Sequence, residues 1–400
     1  MDLNPGPEYI KFRKEVKSFL SKNNHMSSRV SDSAYTADKE SNWQEKLIKN
    51  GYAARTIPKE YGGFGAEPDV LKSRIIAEEF TESQTPLGMA NQGISMLVPT
   101  LLELGTEEQK KSWIEKTIKG EIIWCQGYSE PGSGSDLASL QTKGVDDGDD
   151  FIINGQKIWT STAQFADMMF CLVRTEPDAP KHKGISYILI DMKTPGIDVR
   201  PLMTMTGHAE FNEVFFTDVR VAKTNIVGNR GEGWYVANAT LKHERGMLGD
   251  PNQAETRLKE IVNLMNVETI NGEKLINNPV HLDRLMRLQG RVLSMSYNSL
   301  RSLTASHKGL NVKMGKLIVK LNGCQLNHDL AGFAIDLLGE LGTIYGFSNH
   351  DHDSGKWQWR YMFDLGLIIG GGTAQIQKNI ISEIGLGMPR EPKPMLEEKK

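Results

Sequence analysis

"DFIINGQKIWTSTAQFAD", residues 150–167, marks a change of texture in this chain. β-Branched and aromatic residues gather in a short run bounded by Asp and Gly, which reads as a strand. Within it, "NGQ" (154–156) reads as a tight hairpin turn. The same texture continues downstream in "MMFCLVRTE", "GISYILIDM", "GIDVRPL" and "EFNEVFFTDVRV", separated by Gly, Pro and Asp. On both sides the apolar spacing becomes helical. "PEYIKFRKEVKSFL" places Ile10, Val16, Phe19 and Leu20 near one face, and "VPTLLELGTEEQKKSWIEKTIKG" repeats the pattern with Gly105 as a break. Thr106 followed by Gln109 predicts a capping box opening the helix of Trp113. The expected order is an N-terminal α-helical domain (1–121), an all-β domain (122–232), a C-terminal helical bundle (233–390) and a tail (391–400) whose composition predicts disorder.

Composition excludes several classes. The 400 residues are 39% hydrophobic and 24% charged with a net charge of −3, which suits a globular protein and not a basic nucleic-acid binder. Three widely spaced cysteines, Cys125, Cys171 and Cys324, make neither a disulfide framework nor a zinc site, and read as buried small hydrophobes. With no apolar leader and no run long enough to span a bilayer, a cytoplasmic location is expected.

Two stretches bear chemistry. "YSEPGSGSD" (128–136) joins small residues and a proline to the hydroxyls of Ser129 and Ser135, so backbone amides would approach a ligand closely. Alone it reads more readily as a surface loop. "KIWTS" (157–161) sets an aromatic beside two hydroxyls, suited to a flat polar heterocycle, although a core tryptophan has the same signature. Neither a Walker loop nor a Rossmann fingerprint is present.

Taken in order, "YSEPGSGSD", "INGQKIWTSTAQFAD", "EFNEVFFTDVRV", "NIVGNRGEGW" and "GGTAQIQKNII" resemble the acyl-CoA dehydrogenase family over nearly the whole chain. The resemblance implies a mainly α fold with an all-β, barrel-like middle domain and a C-terminal four-helix bundle. It implies a homotetramer or dimer of dimers that binds FAD, oxidises an acyl-CoA to the trans-2-enoyl-CoA and passes electrons to an electron-transfer flavoprotein. Carried over by motif, Tyr128 and Ser129 border the flavin pyrimidine, and Gly134 and Ser135 lie by its phosphates and the thioester chain. Trp159 and Ser161 cover the other side of the ring. Gly342, in "LLGELG", resembles the corner that meets a partner subunit's FAD. Thr373 and Gln375 look like contacts to the adenosine and diphosphate.

The base is the open question. Many family members carry a glutamate where this chain has Gly371, inside "GLIIGGGTAQIQ" (366–377). In "GWYVANATLKHERGMLGD" (233–250), Trp234, Ala237, Leu241 and Leu248 form an apolar stripe from which Glu244 projects. A salt-bridged helix glutamate would look the same. The isovaleryl- and long-chain-type branch, however, carries its base in an equivalent Glu-Arg pair, which points to Glu244, with Arg245 organising the helix or meeting the CoA. A backbone amide at Gly371 or Gly372 would polarise the thioester carbonyl, and a glycine there leaves room for bulky acyl groups. His208 reads as a polar loop residue, His243 as a possible tuner of Glu244, and "NHDHD" (349–353) as a solvated turn with no metal. The family's Arg-x-x-Phe-Gly stretch is missing from "NGEKLINNPVHLDRLMRL" (271–288), which leaves the cross-subunit FAD contact open. Two alternatives stand beside the dehydrogenase: a flavin-dependent monooxygenase on the same fold, and a non-catalytic subunit of a hetero-oligomer.

Overall fold

Helix α1 (Pro7–Asn23) buries Val16 and Leu20 against Trp43 and Leu47 of α2 (Ala37–Lys49) and Ile75, Ile76 and Phe80 of α3 (Val70–Glu82). Ile10, expected on the same face, is 45% exposed, because the buried stripe of α1 is narrower than the apolar pattern. The computed structural model describes residues 6–23, 37–247, 249–310, 313–346 and 352–391. It divides into two units, Met1–Glu244 and Arg245–Lys400.

In the first unit, Gly105 ends α4 (Val98–Leu104), and the expected capping box opens α5 (Glu107–Ile118). The Gln109 amide donates to the Thr106 hydroxyl oxygen, and the Thr106 amide donates to the Gln109 side chain, each at 3.2 Å. Gln109 Nε2 also donates to the carbonyls of Thr224 and Ile226, joining the helical layer to the sheet region.

The sheet contains β1 (Trp124–Gly127), β2 (Lys143–Asp147), β3 (Asp150–Ser161), β4 (Met168–Arg174), β5 (Ile185–Asp191), β6 (Ile197–Leu202), β7 (Phe211–Ala222) and β8 (Ile226–Val227). Its order is β6-β7-β3-β2-β4-β5-β8, with β1 parallel to β4. Strands β4 and β5 are apolar on both sides because both are covered. Phe170, Leu172, Tyr187 and Leu189 pack with the helices, while Met169, Cys171, Val173 and Ile188 pack with Phe151 and Val214. Each such large side chain contributes about 1.5–3 kcal/mol by leaving water.

The hairpin turn expected at Asn154–Gln156 is not there. Strand β3 runs through it, paired to β2 on one side and β7 on the other, with a register shift between Ile153 and Gly155. Asn154 is tied across to Asp218 by side-chain and amide hydrogen bonds of 3.0 and 2.9 Å. A Cβ at Gly155 would lie 2.6 Å from Thr142 Cα, so this glycine serves close approach rather than a turn. The chain reverses instead between Asp147 and Asp150, where Gly148 has φ +62°.

Helix α6 (Gly233–Met247) follows, burying Val236, Ala237 and Thr240. In the second unit, α9 (Lys313–Leu338) packs against α7 (Pro251–Val267), α8 (Pro279–His307) and α10 (Lys356–Ile369), a four-helix bundle, and α11 (Ala374–Ile380) ends it. The expected run of helices is interrupted by a small antiparallel pair, β9 (Thr269–Ile270) and β10 (Glu273–Lys274). Its turn is Asn271–Gly272, with φ of +53° and +83°, the two left-handed positions that favour Asn-Gly. Inside the bundle, Arg257 on α7 pairs with Asp364, which is 1% exposed, and donates to the Asn327 carbonyl at 3.0 Å. Among the described residues, no helix is long and apolar enough to cross a membrane.

Candidate active site

The first group of candidate residues converges where β1 runs into the "YSEPGSGSD" loop. Tyr128 is buried and meets Phe170 and Tyr187 edge-on, at 6.0 and 6.3 Å between ring centres. The Ser129 carbonyl accepts from the Ile158 amide at 2.9 Å, and the Tyr128 carbonyl accepts from Lys157 Nζ at 3.3 Å. Two consecutive loop carbonyls are thus held by two consecutive residues of β3. Beyond Glu130 the loop turns outward. Gly134 and Ser135 are exposed, and Cβ atoms placed on Gly132 or Gly134 would meet nothing within 4 Å. A cleft of about 450 Å³ opens here, between Pro131, Gly132 and Ser133 on one side and Gln141, Thr142 and Gly155 on the other.

Trp159 stands at the far end of the same strand. The register between β3 and β7 shifts between Lys157 and Thr160, and Trp159 takes a φ of +60°. For a bulky residue that conformation costs about 1–2 kcal/mol, and the strand pairing on either side of the bulge holds it in place. The bulge turns the indole outward, leaving it 59% exposed with Phe211 edge-on at 6.0 Å. Asn212 Nδ2 satisfies the Thr160 carbonyl at 3.0 Å, next to half-buried Ser161. An outward aromatic plane, a neighbouring hydroxyl and an open glycine loop fit a flat polar heterocycle with a phosphate tail.

On α6, the stripe predicted from Trp234, Ala237 and Leu241 packs into the core of the first unit, while Leu248 lies outside the described residues. Glu244 and Arg245 fall in this helix, and their side chains also lie outside the described residues. His243 Nε2 is buried without a partner among the described residues. Desolvation, with Lys242 adding to it and Glu103 opposing, holds its pKa below the usual 6.5. His208 is an exposed loop residue whose amide donates to the Thr206 hydroxyl at 3.3 Å. Of "NHDHD", residues 349–351 lie outside the described residues; His352 Nε2 is 3.0 Å from Glu268 Oε1, and Asp353 pairs with Lys356.

The second group lies in the second unit. Gly370 ends α10, Gly371 and Gly372 have φ of +63° and +92°, and Thr373 caps α11 by accepting from the Ile376 amide at 3.3 Å. Gln375 is exposed on the first turn of α11. Lys320, 2% exposed on α9, donates to the carbonyls of Ile368 and Gly372 at 2.8 and 2.6 Å, and Gln377 Nε2 donates to the Gly371 carbonyl at 3.0 Å. Gly342 is buried, its carbonyl held by Gln358 Nε2 at 3.2 Å. Where the Arg-x-x-Phe-Gly stretch is missing, the chain forms the β9–β10 hairpin. Three of the arginines that follow on α8 are matched to acids: Arg284 to Asp336 and Arg291 to Asp329 at 2.6 Å, and Arg287 to Asp283 at 2.9 Å.

Three family models cover the chain: the acyl-CoA dehydrogenase N-terminal domain over residues 6–121, the middle domain over 125–219 and the C-terminal domain over 231–386. The chain belongs to the acyl-CoA dehydrogenase family. This acyl-CoA dehydrogenase is 36% identical, over 88% of its length and 88% of the relative's, to the acyl-CoA dehydrogenase IpdE1 of Mycobacterium tuberculosis. Among solved structures it is similar to the Tcur3481–Tcur3483 steroid ACAD (TM-score 0.81, 28% identity, 98% of this chain and 100% of that one). It is also similar to the ChsE4–ChsE5 complex of Mycobacterium tuberculosis (TM-score 0.79, 29% identity, 98% and 100%).

Sequence reasoning missed the polar groups that hold this dehydrogenase's loops: Glu130, Lys157, Lys320 and Gln377. One signal was available. Lys157 alternates with Phe151 and Ile153 on the inward face of β3, and a lysine there requires a buried partner.

Proposed function

We propose that this acyl-CoA dehydrogenase binds FAD and oxidises a CoA thioester across its α and β carbons, giving the trans-2-enoyl-CoA. The observation that carries the reading is Trp159, turned outward on left-handed backbone and joined through Lys157 and Ile158 to the Tyr128–Ser129 carbonyls. Bound FAD supplies the acceptor for the hydride leaving the β-carbon. Tyr128 and Ser129 hold the pyrimidine edge, Trp159 and Ser161 shield the opposite side from water, and Gly134 and Ser135 receive the phosphates and the thioester chain. Thr373 and Gln375 meet the adenosine diphosphate portion, and Gly342 meets the partner subunit's cofactor. Glu244 takes the α-proton, because Gly371 offers no carboxylate at the other family position. Arg245 orders the helix beside it, and the amide of Gly371 or Gly372 donates to the thioester carbonyl, acidifying that proton. The enzyme works in the cytoplasm as an oligomer, with electron-transfer flavoprotein as its partner.

The steroid ACAD similarity supports a bulky, ring-bearing acyl group, for which a glycine at position 371 leaves room. Anaerobic bleaching of the bound flavin by a panel of acyl-CoAs, for wild type and Glu244→Gln, tests the reading. Wild-type bleaching that the variant loses supports it; equal rates in both remove Glu244 as the base, and no bleaching by any acyl-CoA removes the dehydrogenase activity.

A second reading, this chain as one half of a two-chain enzyme, is favoured by the hairpin that replaces the Arg-x-x-Phe-Gly stretch and by relatives named as pairs. Flavin stoichiometry of the chain purified alone decides it: one FAD per chain rules for a homo-oligomer, and little or none for the pair.

A further inference from the structure

The catalytic reading does not use the most deeply buried ion pair among the described residues of the first unit. Lys157 is 0% exposed, and its ammonium lies 2.8 Å from Glu130 Oε1. The same oxygen accepts from the Thr142 amide at 2.8 Å, and Oε2 accepts from the Gln141 amide at 2.6 Å. Glu130 is therefore held by one cation and two amides. Burial alone would raise its pKa, but the Lys157 charge and these hydrogen bonds outweigh it and hold the carboxyl below its usual range. Lys157 also reaches the Tyr128 carbonyl, and it is the last residue of β3 paired with β7 before the bulge that turns Trp159 outward. One buried pair thus touches the start of the loop, the far wall of the cleft at Thr142 and the strand that carries the indole.

We propose that Lys157 and Glu130 are positioning residues for the flavin: together they set the separation of the Tyr128–Ser129 and Trp159–Ser161 walls and balance the charge beneath the pyrimidine edge. This rests on the reading that Tyr128 and Ser129 border that edge. The two charges cancel, so neither biases the site while both are present. Removing one leaves a buried charge without its counter-ion, which a neighbouring ligand or a proton can then answer. An unmatched Lys157 favours an electron-rich reduced flavin, and an unmatched Glu130 opposes it.

The test compares wild type with Glu130→Gln, Lys157→Met and the double variant by FAD titration and by the midpoint potential of the bound flavin. The expected result is a higher potential for Glu130→Gln, a lower one for Lys157→Met at pH 8, and a return towards wild type in the double variant. All three variants are expected to bind FAD at least tenfold more weakly. If both single variants move the potential in the same direction, or neither moves it, the proposal is overturned. Should a single variant fail to accumulate, Lys157→Arg and Glu130→Asp keep both charges but change the spacing, and unchanged FAD affinity in both overturns it. A wild-type protein that binds no FAD, either alone or together with a partner chain, overturns the flavin reading itself, a distinct outcome.

Discussion

The ammonium of Lys320 donates to the carbonyl of Gly372 at 2.6 Å, so a buried cation on α9 fixes the exit of the three-glycine turn. It caps the C-terminal end of α10 as well, through the Ile368 carbonyl, where a positive charge also suits the helix dipole.

Replacing that group is expected to be expensive. Lys320→Met leaves two partly buried carbonyls without this donor, a loss of about 2 kcal/mol, at the lower end of the roughly 1–3 kcal/mol per unsatisfied group because both carbonyls are only partly buried. Urea unfolding followed by tryptophan fluorescence reads it, and a midpoint equal to wild type contradicts the assignment.

Gly371 is expected to tolerate asparagine better than alanine. Its φ of +63° disfavours a Cβ by about 1–2 kcal/mol, a penalty that Asn evades in part through local hydrogen bonding. Thermal melts of Gly371→Ala and Gly371→Asn give the comparison. Equal losses would mean that backbone conformation does not explain this glycine.

Trp159→Gly should separate binding from folding. The indole is largely exposed, and glycine accepts φ +60° freely, so the melting temperature should stay within a few degrees of wild type. FAD affinity should fall at least tenfold. Calorimetry and a flavin fluorescence titration measure the two, and a variant that melts much earlier shows the indole to be part of the core.

His243 sets a pH dependence. Its folded pKa lies below the 6.5 of an unfolded histidine, so the unfolded chain binds the extra proton first as pH falls. Its neutral state supports folding fully above about pH 6.5, and that support drains away as the pH drops through the lower folded value. His243→Gln should therefore lose less stability than wild type between pH 7 and 5. Denaturant midpoints across that range check it; parallel curves for the two proteins count against a buried neutral imidazole.

Strands, capping box and bundle were legible because each is written locally, in residues a few positions apart. β4 and β5 announce themselves as unbroken apolar runs, and Thr106–Gln109 needs four residues to declare a helix start. The failures came where a local cue had two homes. Asn-Gly does make a tight turn here, but at 271–272; at 154–155 the same dipeptide sits in a twelve-residue strand whose partners on both edges outweigh it. The site divided similarly. Motif order named Tyr128, Ser129 and Trp159 as candidates, whereas the Glu130–Lys157 contact spans 27 positions and Lys320–Gly372 spans 52, separations that no local pattern records.

The three cysteines have a practical consequence. Cys125 and Cys171 lie in strands of the first unit with no exposure, and Cys324 lies 3% exposed on α9 of the second. Burial raises all three pKa values, that of Cys171 to about 11, so almost no thiolate is offered to solvent while the fold is closed. The chain therefore carries its own clocks. The rate at which a thiol reagent captures each cysteine times the opening of the surroundings that hide it. Comparing Cys324 with the pair in the sheet reports whether the surroundings of the β-sheet and those of α9 open at the same rate or at different ones, without a dye or an added label site.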